Sequence, residues 1–158
     1  MKSPHLLCVE EGPEPFALLV AAARAEGLRI GWLELSEALP LPETLQAAAD
    51  RGVLRAVSVG GGRTVAVKPL RGAPVMKDIL REHFLGCALV LVRGEVEAPR
   101  LRADGEAWRM AAAGPEQAAE QALTTEQLLG KIRSPLPLIP PAVAAQEGTA
   151  TTGSSSET

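Results

Sequence analysis

Aromatic side chains are scarce in this chain. They make up 3% of its 158 residues, with no tyrosine. Phe16, Phe84, Trp32 and Trp108 are the only rings besides the two histidines, so the core must be packed with Ala, Leu and Val. So few rings leave little platform for stacking bases, which counts against a single-stranded nucleic-acid binder. Cysteine is equally sparse. Cys8 and Cys87 each sit in an apolar stretch, where a free thiol behaves as a small buried hydrophobe. With no CxxC and no Cys/His cluster, a zinc site is excluded. No apolar run approaches the roughly 18 residues that a spanning helix needs. No apolar run with a small-residue cleavage site precedes the first strand-like segment. The expectation is a soluble cytoplasmic protein with no membrane partner.

The usual signatures of cofactor and nucleophile chemistry are missing as well. A dinucleotide site needs a glycine-rich turn between the first strand and first helix, so that backbone can approach the pyrophosphate. Here that turn is Glu10-Glu11-Gly12-Pro13-Glu14, acidic and with one glycine. Gly60-Gly61-Gly62 is followed by a strand-like segment rather than a helix, which favours a hairpin over a Walker-type loop. Ser58 lacks the GxSxG context of a nucleophile elbow. Ser36 has no evident histidine partner, and His5 and His83 are isolated. No cofactor is expected, and no constellation points to catalysis.

What is present is a hydrophobic fraction of 46%, ample for a core, and an uneven charge distribution. The net charge is −3, with acidic ends flanking a basic middle. Such a pattern arises from complementarity within one fold or from a surface for an anionic partner.

The element pattern is that of an α/β protein. Residues 5–9 form a continuous apolar run, the mark of a strand buried on both faces. Residues 16–26 read as a helix, with proline at the first turn and Gly27 as the stop. Residues 28–35 alternate as a strand. A helix over 42–51 and a strand over 53–59 come next, followed by the triple glycine and a strand over 64–67. Then come a helix over 75–85 and a second buried strand over 88–92. Asp104-Gly105 marks a hairpin between 97–103 and 106–111. Thr124 and Gln127 have capping-box spacing before the last helix. Residues 112–123 carry little signal. The pattern predicts a mostly parallel sheet with helices on both faces and an antiparallel hairpin edge, with a two-layer α+β, ferredoxin-like arrangement as the alternative. Residues 1–133 are expected to form a single domain. Residues 134–158, Pro-rich and then Gly/Ser/Thr-rich, are expected to form a disordered tail.

Ligands of open parallel sheets sit beyond the carboxyl ends of the strands. Two candidate sites follow. The first is an anion site at the start of the 75–85 helix, formed by Lys68, Arg71, Gly72, Lys77 and Arg81, where unpaired N–H groups favour negative charge. The second is a divalent-metal site built from Glu10, Glu11, Glu34 and Glu37. Glu10-Glu11 and Lys68-Pro69 are similar to pairs found in receiver domains. The phosphate-accepting aspartate expected after the third strand is missing, so phosphotransfer is not implied. Three functional expectations result. The leading one is a non-catalytic module acting on a protein partner or on a second copy of itself, as a possible homodimer, through the Pro-rich segment or the hairpin edge. The others are a binder of a phosphorylated small molecule or nucleic acid at the basic helix start, and a metal-assisted enzyme using the strand-end glutamates.

Overall fold

A computed structural model of the chain describes residues 3–38, 40–114 and 119–139. The chain divides into two compact units, one of residues 1–35 and 83–158, the other of residues 36–82.

The first unit is built on two apolar runs. His5–Val9 forms β1 and Leu89–Arg93 forms a strand parallel to it, paired from His5 opposite Leu89 to Val9 opposite Arg93. In chain order the strands are β2 (Ile30–Glu34), β3 (Ala56–Gly60), β4 (Arg63–Val67), β5 (Leu89–Arg93), β6 (Arg100–Asp104), β7 (Ala107–Ala111) and β8 (Glu120–Leu123). The main sheet has the order β2-β5-β1-β6-β7-β8. Its β2, β5, β1 and β6 run parallel, while β7 and β8 continue it antiparallel. The α/β class and the mostly parallel sheet with an antiparallel edge are as the sequence indicated. A ferredoxin-like arrangement is ruled out because four neighbouring strands run parallel. Leu89, Val90, Leu91 and Val92 are each at most 1% exposed, which explains the unbroken apolar run: β5 has no solvent face on which to place a polar residue.

Side-chain alternation assigns the two faces. Leu7, Val9, Leu91, Leu101, Trp108, Met110 and Leu123 point to one face and meet α1 (Ala17–Ala25) and α4 (Thr125–Arg133) through Leu19, Ala23, Leu128, Leu129 and Ile132. A 3-10 turn over Glu14–Phe16 with proline in its first positions leads into α1. The capping box at the start of α4 is formed in both directions, Gln127 N–H to Thr124 Oγ1 at 3.1 Å and Thr124 N–H to Gln127 Oε1 at 2.9 Å. Phe16, 1% exposed, lies between Trp32 (centroids 6.1 Å apart) and Trp108 (5.7 Å, stacked). Three of the chain's four Phe and Trp rings thus meet at one point of an otherwise aliphatic core.

Several expectations are corrected. The segment after β7, which carried little signal, supplies β8 over Glu120–Leu123. The 106–111 strand is therefore flanked on both sides and is not a free edge. β3 and β4 do form the expected hairpin, closed by Gly61 and Gly62 at φ +58° and +76°, a turn whose twist suits the flanking strands. They make a separate two-stranded sheet, however, and β3 is not a rung of the main one. In that second unit α2 (Glu43–Asp50) packs on β3, with Leu45 and Ala56 buried. α3 (Met76–His83) follows. Within the segment expected as a tail, Leu138 is 5% exposed and belongs to the main core. Residues 140–158, the rest of that tail, lie outside the described residues.

Truncating the ring at the aromatic junction removes large apolar contacts from a site that only partly collapses. Phe16→Ala is expected to cost about 3–5 kcal/mol, measured as the loss of unfolding free energy in a urea titration.

Candidate functional site: a charged cleft beyond the end of the first strand

One register fact creates the site. β6 begins opposite β1 near the end of that strand, with Arg100 paired to Cys8. From Arg102 onward β6 therefore lies past the end of β1, and the β6-β7-β8 meander projects beyond the carboxyl ends of β1 and β5. The connection from β5 to β6 crosses the end of β1. The Cys8 N–H donates to Pro99 O at 2.7 Å, and the Cys8 thiol donates to Gly94 O at 3.6 Å. Gly94 has φ +137°, and a Cβ there would stand 2.6 Å from Leu35 O. Any side chain at this crossing meets backbone.

On the face away from α1 and α4, the meander carries charge. Arg100 and Arg102 alternate with Leu101 and Ala103, so the guanidinium groups and the core residues point in opposite directions. Arg109 lies directly across from Arg102, and Glu120 across from Ala111. Glu10 and Glu11 leave the end of β1 toward this surface. Together with Cys8 they enclose a cleft of about 410 Å³ lined by Arg100, Arg102, Arg109 and Glu120. Arg102 donates from Nε and Nη2 to the two Glu120 carboxylate oxygens, both at 2.8 Å. Arg109 Nε donates to Asp104 Oδ2 at 2.9 Å. Hydrogen bonding from Arg102 holds the Glu120 carboxyl below the usual carboxylate range. In return Glu120, with the nearby charges of Asp104 and Glu11, raises Arg102. Burial raises the Cys8 thiol, and the charge of Glu10 adds to this against Arg100. At neutral pH that thiol is protonated and is a poor nucleophile.

On the core side of the same strand ends the chain satisfies itself. Glu34 accepts from Trp32 Nε1 at 2.9 Å and pairs with Arg93 Nη2 at 2.9 Å. Its carboxyl is lowered first by the Trp32 hydrogen bond and then by Arg93. A Cβ on Gly12 would stand 3.2 Å from the Glu14 carboxylate and 3.5 Å from the Arg93 guanidinium. Both groups therefore close over the loop.

Of the expected metal-binding set, only Glu10 and Glu11 come together. Glu34 is engaged with Trp32 and Arg93, and Glu37 follows in the loop after β2. Among the described residues no group of three His, Cys, Asp or Glu is arranged to hold a metal ion. Of the expected anion set, Lys68 pairs with Glu82, and Arg81 pairs with Asp78 at 2.6 Å on the same helix. Gly72 is in the left-handed region. Arg71 and Lys77 are exposed. Lys68 was expected at the end of a main-sheet strand, whereas the strand it follows, β4, belongs to the separate hairpin. The residues that sequence reasoning missed are Arg100, Arg102, Arg109 and Glu120. Their signal was the alternation of Arg with apolar residues over 100–103. No helix among the described residues is long and apolar enough to cross a membrane.

No family model and no curated protein matches this chain. Solved structures similar to it include a MobB protein homolog from Bacillus stearothermophilus (21% identity, 60% of each chain covered, TM-score 0.38). Two structures of Bacillus subtilis MobB also match. One has 17% identity, covers 65% of this chain and 69% of that one, and has a TM-score of 0.43. The other has 19%, 61%, 62% and 0.39. This chain thus spans about 60% of the length of the first of these. At these values the likeness is one of general fold. The leading expectation, a non-catalytic interaction module, is not retained: the hairpin edge on which its self-association was to rest is occupied by β8.

The Arg102–Glu120 pair has a direct signature. In a carbon-detected NMR titration the Glu120 carboxyl is expected to have its midpoint below the ordinary glutamate range, and Arg102→Ala is expected to return it upward. Since the folded value is the lowered one, the stability given by this pair is present above the ordinary glutamate range and is lost as pH falls through the lowered midpoint.

Proposed function

We propose that the unit carrying the six-stranded sheet binds a small anionic ligand of the phosphate-ester class in the cleft over β6 and β7. The observation that carries this reading is the placement of Arg102 directly opposite Arg109, with Arg100 on the same face. Like charges facing each other across a ladder are destabilising, so three guanidinium groups lining one cleft call for anionic partners. Within the chain Glu120 meets Arg102 and Asp104 meets Arg109. The fork-to-carboxylate geometry between Arg102 and Glu120 is also the geometry in which guanidinium groups hold phosphate oxygens. Both members of that pair are substantially solvent-accessible, and exposed pairs of this kind are weak and exchangeable. The cleft volume falls within the range of small-molecule sites. The protonated Cys8 thiol favours binding over attack on the ligand.

The set of Lys68, Arg71, Gly72, Lys77 and Arg81 is the weaker proposal for an anion site, because Lys68 and Arg81 already hold carboxylates.

Calorimetric titration of the full chain with glycerol phosphate tests the reading. Binding is expected to weaken as salt rises, and Arg109→Ala is expected to weaken it roughly tenfold or more, as for loss of a charge-assisted hydrogen bond. No binding, or an undiminished affinity in Arg109→Ala, overturns it. A loss on Arg71→Ala in place of Arg109→Ala moves the site to the start of α3.

A further inference from the structure

The anion reading leaves part of the cleft unexplained. Three arginines line it, but so do three glutamates, Glu10, Glu11 and Glu120. Glu120 is held by Arg102. Glu10 and Glu11 are exposed, and neither makes a hydrogen bond or ion pair with a described residue. Their charge nevertheless reaches the inside of the cleft: Glu10 acts on the Cys8 thiol and Glu11 on the Arg102 guanidinium. A ligand that is only an anion would sit within a Debye length, roughly 8 Å at physiological salt, of two carboxylates that no described residue holds in an ion pair. Part of what the arginines contribute would be cancelled.

We infer that the occupant is a zwitterion: a phosphate monoester that also carries a primary ammonium, with its phosphate on Arg100, Arg102 and Arg109 and its ammonium against Glu10 and Glu11. The inference rests on the anion reading of the same cleft and adds the second charge. Glu10 and Glu11 are adjacent at the end of β1, and the arginines start one strand over, at the register of Cys8. The two ends of the cleft therefore differ in sign, and a short aminoalkyl phosphate spans that difference. An ammonium with three donors suits two neighbouring carboxylates that make no ion pair with a described residue. No bond is made or broken in this step.

The test compares three probes by calorimetry on the full chain at one ionic strength: inorganic phosphate, glycerol phosphate and phosphoethanolamine. Phosphoethanolamine is expected to bind about two- to fivefold more tightly than glycerol phosphate, the scale of one partly exposed ion pair. In Glu11→Gln and in Glu10→Gln/Glu11→Gln, phosphoethanolamine should weaken and glycerol phosphate should tighten, so that the two converge. Circular dichroism of each variant establishes that it is folded, and the convergence is read as a ratio within one variant, so a uniform loss of active protein cannot mimic it. If glycerol phosphate binds and responds to Arg109→Ala while phosphoethanolamine binds no more tightly, the zwitterion inference falls and the anion reading stands. If none of the three probes binds, both fall.

Discussion

The pairing of Arg100 with Cys8 decides the rest of the molecule's surface. Had β6 started opposite His5, it would have run alongside β1, and the meander would have ended level with the parallel strands. Starting near the end of β1, it overshoots. The sheet then has a parallel half that stops and an antiparallel half that continues, and the step between them is a concavity. The crossing of residues 94–99 over the end of β1 fixes the offset, with both the backbone and the thiol of Cys8 bonded to it. The absence of a side chain at Gly94 lets the crossing pass against Leu35.

The two faces of the meander then divide the work. One face supplies Leu101, Trp108, Met110 and Leu123 to a core that is nearly all aliphatic. With so few rings available, stacking Phe16 on Trp108 and placing it against Trp32 concentrates the largest apolar areas beside the strand ends, where a two-sided sheet is hardest to cover. Such pairs add to simple area burial. The rigidity gained there also holds β7, and with it Arg109, which alternates with Trp108 and Met110 along the same strand.

Much of the fold could be read from the residues. The runs 5–9 and 88–92 are apolar without interruption because their strands are interior, and they do lie side by side. The Thr124–Gln127 spacing, the stop at Gly27 and the turns at Gly61-Gly62 and Asp104-Gly105 rest on local backbone chemistry, which sequence displays directly. β8 was not legible: Glu-Gln-Ala-Leu contains no β-branched or aromatic residue, and it is a strand because β7 offers it a ladder. Tertiary pairing overrode propensity there. The cleft was not legible for a related reason. The alternation of Arg100 and Arg102 with Leu101 and Ala103 announces a strand with one wet face, but not what stands over that face. Only the offset register brings Glu10, Glu11 and Arg109 to it. Lys68 and Arg71 misled in the opposite way, since their local pattern is basic while the strand they follow belongs to another sheet.

The acidic loop after β1 has a consequence for where an anion can go. In an open α/β sheet the turn into the first helix is the natural seat for a negative group, because the helix begins there with unpaired N–H donors. In this chain Glu14 occupies the start of the 3-10 turn that leads into α1, and its carboxylate lies beside Gly12 and near Arg93. The chain's own charge takes the place a ligand would use, and Glu34 takes the Nε and Nη2 donors of Arg93. A second negative group arriving there meets Glu14 and Glu34, and Arg93 is already paired with Glu34. On the opposite face the balance is reversed: guanidinium groups line the floor, one of them across the ladder from another, and their carboxylate partners are exposed and exchangeable. Side-chain charge therefore moves the favourable seat for an anion from the helix start to the outer face of the meander, even though the backbone alone would have placed it at the helix.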